Sequence, residues 1–218
     1  IPVRLLEHLG LSALSLLLAL AIALPVGLFI GHTRRGTALA TNLAKIGRAV
    51  PSLAVIGIVL PVTAAIDPQL GFKVYPTLVA MVILAIPPIL VNAEAGVIGV
   101  DADLVESARA MGMREGQVLL SVEIPVAVPI ILTGVRSAAT QIVATMTLGA
   151  IFGSGGLGRV LVEGIAQNDD GKIFGGVVLV ASLALVTEAL FALLQRTTTS
   201  AGLRRPDTTR RSSAVAAT

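Results

Sequence analysis

Residues 9–30 contain no charged side chain. At about 1.5 Å per residue, such a run crosses the roughly 30 Å of hydrocarbon in a bilayer as one helix. Comparable runs recur at 49–66, 74–93, 124–152 and 173–195, the last two interrupted by Arg136 and Glu188. The expected fold class is therefore all-α integral membrane, with about five transmembrane helices. Composition agrees, since 55% of the residues are hydrophobic, 13% are charged and mean hydropathy is +0.90. We expect a transmembrane domain over 1–196 and a disordered tail, rich in Ser, Thr, Ala and Arg, over 197–218. The chain opens on Ile1 rather than Met, so a longer N-terminus is expected, with a cleaved leader as the alternative.

The chain has no Cys, which excludes disulfides and thiolate metal sites. A net charge of +3 with a pI near 10.0 suits nucleic acid in principle. The basic residues, however, gather at span edges and in the tail, which fits membrane topology and no nucleic-acid partner. Five spans put Arg34-Arg35, the polar stretch 101–125 and the basic tail on one side. The positive-inside rule makes that side, with the C-terminus, cytoplasmic. His32 beside Arg34 reads as a polar end residue, because nothing near it has metal-ligand spacing.

Pro51 and Pro61 bend or break the second span. Broken helices line substrate paths in transporters, and simple kinked packing is the alternative. Pro87-Pro88 kinks the third span, and Glu94 at its far end reads as a loop anchor. Arg136 lies deep in the fourth span, and Glu188 is its best partner by depth. The two form either a structural ion pair or, with Thr140, Gln141 and Thr145, part of a polar lining. Ser137, Thr140, Gln141 and Ala144 share one small or polar face. Gly153, Gly155 and Gly158 match G-x-G-x-x-G, but no strand precedes them and no Lys-Ser/Thr follows, so this is no nucleotide loop.

The longest polar interruption, 101–125, reads as two short helices joined at Gly112. Asp101 or Asp103 caps the first and Pro125 stops the second. Within it stand Glu106-Ser107-Ala108, three residues, Gly112, nine residues, then Val122-Glu123-Ile124-Pro125. This resembles the EAA loop of ABC-importer permeases, with Ser107, Val122 and Ile124 departing from the commonest letters. The resemblance implies a cytoplasmic coupling helix between the third and fourth spans, docking on an ATP-hydrolysing subunit through Glu106, Ser107, Ala108, Ala110, Met111, Gly112 and Met113. Physical sense supports it, because small residues admit a close partner and methionines adapt to its surface.

Arg48-Ala49-Val50-Pro51-Ser52-Leu53 and the segment 147–158 resemble osmoprotectant permeases of the glycine betaine, carnitine and choline branch. Permeases for methionine or another small solute share the coupling pattern. The resemblance implies two ATP-binding cassette subunits, a second permease chain (the same or homologous), an extracytoplasmic substrate-binding protein and a bacterial-type cell membrane. ATP-Mg would sit in the partner, with no catalytic residue, metal or cofactor in this chain. Pro51, Ser52, Arg136, Thr140, Gln141 and Thr145 would lie on the translocation path, and Gly153, Gly155 and Gly156 at an outer gate. With one Tyr, five Phe and no Trp, an aromatic cage for quaternary ammonium is not expected in this chain. An ATPase-independent carrier or a membrane scaffold would be the alternative classes.

Overall fold

The computed structural model of the chain describes residues 1–198, apart from the side chains of Leu39, Leu43, Ala44 and Arg48. Every described element is a helix: α1 (Pro2–Thr33), α2 (Thr37–Ala49), α3 (Ser52–Ile66), α4 (Tyr75–Ile98), α5 (Ala102–Ala110), α6 (Glu115–Val118), α7 (Ile124–Gly149), α8 (Gly158–Gln167) and α9 (Asp170–Thr198). A π-helical turn (Leu119–Glu123) joins α6 to α7, and a 3-10 turn (Ala150–Phe152) follows α7. The expected domain boundary at residue 196 falls inside α9. Beyond Thr198 the expected disordered tail lies outside the described residues.

α1, α4, α9 and the unbroken stretch Glu115–Phe152 are each long and apolar enough to span a bilayer. The second expected span, read over 49–66 and bent or broken by Pro51, is a bent helix pair that starts earlier, in α2. α2 and α3 meet at an elbow of 99°. Val50 and Pro51 are both extended, with ψ near 124° and 129°. Proline drives its predecessor out of helical conformation and offers no amide of its own, so the chain turns there. Pro125 also behaves differently from expectation. It opens α7 rather than ending a helix, and the π turn just before it absorbs the missing amide bond.

α4 is the centre of the bundle, flanked by α1 and α7 and covered by α2 and α3. α1 buries a stripe of small residues, Ser12, Ser15, Ala19, Ala23, Gly27 and Gly31, and meets α4 closely at Gly27 and Gly31. A Cβ on Gly27 would sit 2.7 Å from the Leu90 carbonyl oxygen, so only glycine permits that crossing. Gly134 makes the matching contact between α7 and α4, where a Cβ would lie 2.6 Å from both the Pro88 oxygen and Asn92. Without a hydrophobic drive between helices in lipid, such close backbone contact is what holds spans together. α9 packs on α7 and α8 and turns Phe174, Leu185, Leu190 and Leu193 outward. In lipid that apolar face is already solvated.

The ends of the bundle alternate as the five-span topology requires. His32, closing α1, touches Glu115 and Glu123 at one end. Arg4 and Glu7, opening α1, touch Glu163 and Gly156 at the other. Lys73, between α3 and α4, approaches Gly153 at that second end.

Gly134→Leu is expected to cost about 1–3 kcal/mol through overpacking. Gly57→Leu, where an added Cβ meets nothing within 4 Å, should leave the thermal midpoint in detergent within error. Equal effects of the two changes would remove the close-contact account.

Candidate functional site

A cavity of about 520 Å³ opens between the α2–α3 elbow, α4 and α7. Gly47, Val50 and Ser52 line the elbow side, Pro87, Pro88 and Asn92 the α4 side, and Ser137, Gln141 and Thr145 the α7 side. Each contribution has a local cause. The elbow brings Ser52 inward, and Pro87-Pro88 strips α4 of two amides where Asn92 Nδ2 donates to the Pro88 carbonyl at 2.8 Å. On α7, residues 137, 141 and 145 repeat every four positions and share a face. Among the described residues the lining mixes the hydroxyl and amide groups of Ser52, Asn92, Ser137, Gln141 and Thr145 with apolar Val50, Leu84 and Val91, and carries no charge or aromatic ring.

Of the path residues expected from the sequence, Ser52, Gln141 and Thr145 meet at this cavity. Pro51 stands exposed at the elbow, beside the lining. Arg136 and Thr140 are not brought there; one position back on α7 turns them about 100° away, toward α9. Arg136 Nε donates to Glu188 Oε1 at 2.6 Å, and Thr140 Oγ1 donates to Glu188 Oε2 at 2.8 Å. Gln195 Nε2 continues this seam to Thr133 Oγ1 at 2.8 Å. The geometry at Arg136 and Glu188 is thus that of an ion pair joining two helices. Glu94, expected as a loop anchor, is instead buried inside α4, which runs four residues past it. Its Oε1 has no hydrogen-bond partner among the described residues.

The polar stretch after α4 forms a compact hook. Asp101 caps α5 by accepting from the Asp103 amide at 2.9 Å. Gly112 takes φ +83°, a left-handed turn that suits glycine and sends the chain back into α6. Val100, Val105, Ala108 and Val118 are buried together, with Met113 and Val122 against them, so the hook has its own small core. Ala108 and Met113 therefore face inward. Glu106, Ser107, Ala110, Met111 and Gly112 face outward with Leu104. Arg109 grips Glu115 through two hydrogen bonds of 3.0 Å, closing α5 onto α6.

Two clasps escaped the sequence reading. At the hook, His32 Nδ1 lies 2.6 Å from Glu123 Oε2 and Nε2 lies 3.2 Å from Glu115 Oε2. At the opposite end, Glu7 Oε2 accepts from the Gly156 amide at 3.1 Å. His8 Nδ1 accepts from the Leu157 amide at 3.3 Å, while Nε2 meets the Val143 carbonyl at 3.0 Å. A carbonyl only accepts, so Nε2 carries the proton. Gly155 and Gly156 hold φ near +84° and +74°, and a Cβ on Gly155 would come within 2.8 Å of Glu7. The glycine-rich string is thus a cradle for α1, with Gly153 at its edge. Arg4 adds a two-bond pair to Glu163 at 2.8 and 3.1 Å. The available signal was the spacing of Arg4, Glu7 and His8, at i, i+3 and i+4 on one helical face. Groups of three or more metal-ligating side chains are absent among the described residues.

For the α7–α9 seam, Arg136→Ala is expected to lower the thermal midpoint more than Arg136→Ala with Glu188→Ala. Simple additivity would remove the pair. For the clasp on α8, the hydrogen bond from Arg4, aided by Arg159, holds the Glu163 carboxyl below the usual carboxylate range. Its contribution is full above the ordinary value near ~4.3 and fades as pH falls through the lowered one. Amide protection at Gly156 and across α8 should drop in that acid window, and Arg4→Ala should move the drop upward in pH. Unchanged behaviour in Arg4→Ala would break this link.

Residues 23–200 match the family described as binding-protein-dependent transport system inner membrane component. A carnitine transport permease protein of Listeria monocytogenes is 33% identical over 91% of this chain and 88% of its own length. An osmoprotectant import permease protein of Salmonella typhimurium is 32% identical over 91% of each. Among solved structures, the inward-facing MetNI methionine ABC transporter aligns at 24% identity with a TM-score of 0.79, covering 91% of this chain and 96% of that one. That likeness is one of fold.

Proposed function

We propose that this chain, which belongs to the family of binding-protein-dependent transport system inner membrane components and is a membrane-spanning permease subunit of an ABC transporter, carries quaternary-amine osmoprotectants of the glycine betaine, carnitine and choline kind. The relatives named for carnitine, choline and osmoprotectant import support that substrate class. So does the cavity. Its described wall, part polar and part apolar, suits a compact solute that carries both methyl and polar groups, and leaves selection to a binding protein that presents the solute from outside.

The observation that carries the mechanism is the hook. It is a rigid piece with its own core, joined to α4 through Gly99 and to α7 through the π turn. Both helices line the cavity. Its outward face sets apolar Leu104 and Met111, the latter 76% exposed, among Glu106 and the small Ser107, Ala110 and Gly112. Such a face fits a groove in a separate ATP-hydrolysing subunit. ATP-driven closure of two such subunits would press two hooks together and swing the helices behind them. A ligand or partner shifts a conformational equilibrium only through differential affinity, and here the ATPase dimer supplies it. The hook, Arg34 and Arg35 then lie in the cytoplasm with the C-terminus, and the glycine cradle faces outward, beside the binding protein. The cavity is open on one flank, which a second permease chain, of the same or a homologous sequence, would close.

Gly112→Trp would mix loss of docking with backbone strain at φ +83°. Ser107→Trp is the cleaner probe, because Ser107 is exposed. Co-purification from native membranes should yield an ATP-binding subunit with the unmodified chain and lose it with Ser107→Trp. The thermal midpoint of the permease should stay unchanged. Retention of the subunit, with normal ATP-driven uptake of labelled glycine betaine, would overturn the docking assignment.

A further inference from the structure

We propose that His32 is a positioning residue for coupling: through Glu115 and Glu123 it ties the hook to the end of α1, and so to the elbow that walls the cavity. This rests on reading α5 and α6 as the coupling element.

The hook is bonded along the chain to α4 and α7. Among the described residues, a side-chain tie between it and α1 runs through one imidazole. His32 Nδ1 lies 2.6 Å from Glu123 Oε2, within hydrogen-bond reach, and Nε2 lies 3.2 Å from Glu115 Oε2. One ring thus touches a carboxylate on each side of the hook's return. Glu123 is 5% exposed, and burying a carboxylate there without a partner would be costly. Glu115 is held in turn by Arg109 of α5 through two hydrogen bonds. The chain of contacts therefore runs from α5 through Arg109 and Glu115 to His32, which also holds Glu123.

The position of His32 in the fold gives that chain a destination. Two residues later Arg34 adopts a left-handed turn, and the chain enters α2 at Thr37. The far end of α2 supplies Gly47 and Val50 to the cavity, and Ser52 follows at the start of α3. Movement of the hook would thus reach the elbow wall as well as the α4 and α7 walls. Without His32, the hook would still drive the two helices it is bonded to. The elbow would follow by packing alone, and the cavity would open out of step with ATP turnover.

The test uses the whole complex, with its ATP-binding subunits and binding protein, in proteoliposomes. Uptake of labelled glycine betaine, carnitine and choline is measured together with ATP hydrolysis. The readout is solute taken up per ATP hydrolysed, which loss of folded complex does not change. His32→Ala is expected to lower this ratio about fivefold or more, the scale of a typical coupling energy. It also strands the Glu123 carboxylate, so the thermal midpoint should fall. In His32→Ala with Glu123→Leu, the buried charge is gone and the midpoint should recover, while the ratio stays low. A ratio within twofold of the unmodified complex in His32→Ala overturns the proposal. So does a ratio that recovers with the midpoint, since the role is then only structural. If the unmodified complex takes up none of the three solutes with ATP, the permease reading itself has failed, and this proposal goes with it.

Discussion

Close contact between helix backbones is the constraint from which this structure follows. Lipid supplies no force to press apolar helices together, so the spans adhere where small residues let their atoms meet. Gly27 and Gly31 bring α1 onto α4, and Gly134 brings α7 onto α4 from another side. That three-helix row fixes what can surround it. The elbow of α2 and α3 covers α4 and leaves a polar cavity, and α9 settles on α7 with its apolar face outward. The row also fixes which residues meet at its two ends. Both ends of α1 carry side chains that reach across to distant parts of the chain.

These end contacts divide the polar residues by task. Inside the bundle, the described cavity wall mixes hydroxyl and amide groups with apolar side chains and holds no charged one. Arg136 with Glu188, an Arg–Glu pair at span depth, faces the α7–α9 seam, where it holds helices. Charge is otherwise concentrated at the ends, in Arg4 with Glu163 and in His32 with Glu115 and Glu123.

Much of this was legible from the residues. Long apolar runs gave α4, α7 and α9 within a few positions, because in lipid length and hydropathy leave few choices; α1 starts at Pro2, seven residues before the run that marked it. The spacing from Glu106 to Pro125 marked the hook, and Gly112 its turn. Depth alone paired Arg136 with Glu188. What was hidden depends on rotation and on distant partners. Thr140 and Gln141 are neighbours in sequence yet face α9 and the cavity respectively. Val50 and Pro51 signalled a bend but not its size. His32 looked like a mere end residue because its partner, Glu123, lies 91 residues away. Pro125 looked like a stop because sequence gives no sign of a π turn able to accommodate it.

That π turn has a consequence for how such chains can vary. A π turn holds one residue more than the α-helical turn it replaces. The extra residue is absorbed inside that one turn, so the helix on either side keeps nearly the bearing it would have without it. Deleting a single residue within Leu119–Glu123 would restore an ordinary helix and leave the hook pointing where it does. What would change is the order of side chains inside the turn, where Glu123 faces His32. The turn therefore works as a spacer: it decides which side chain meets α1 without steering the hook.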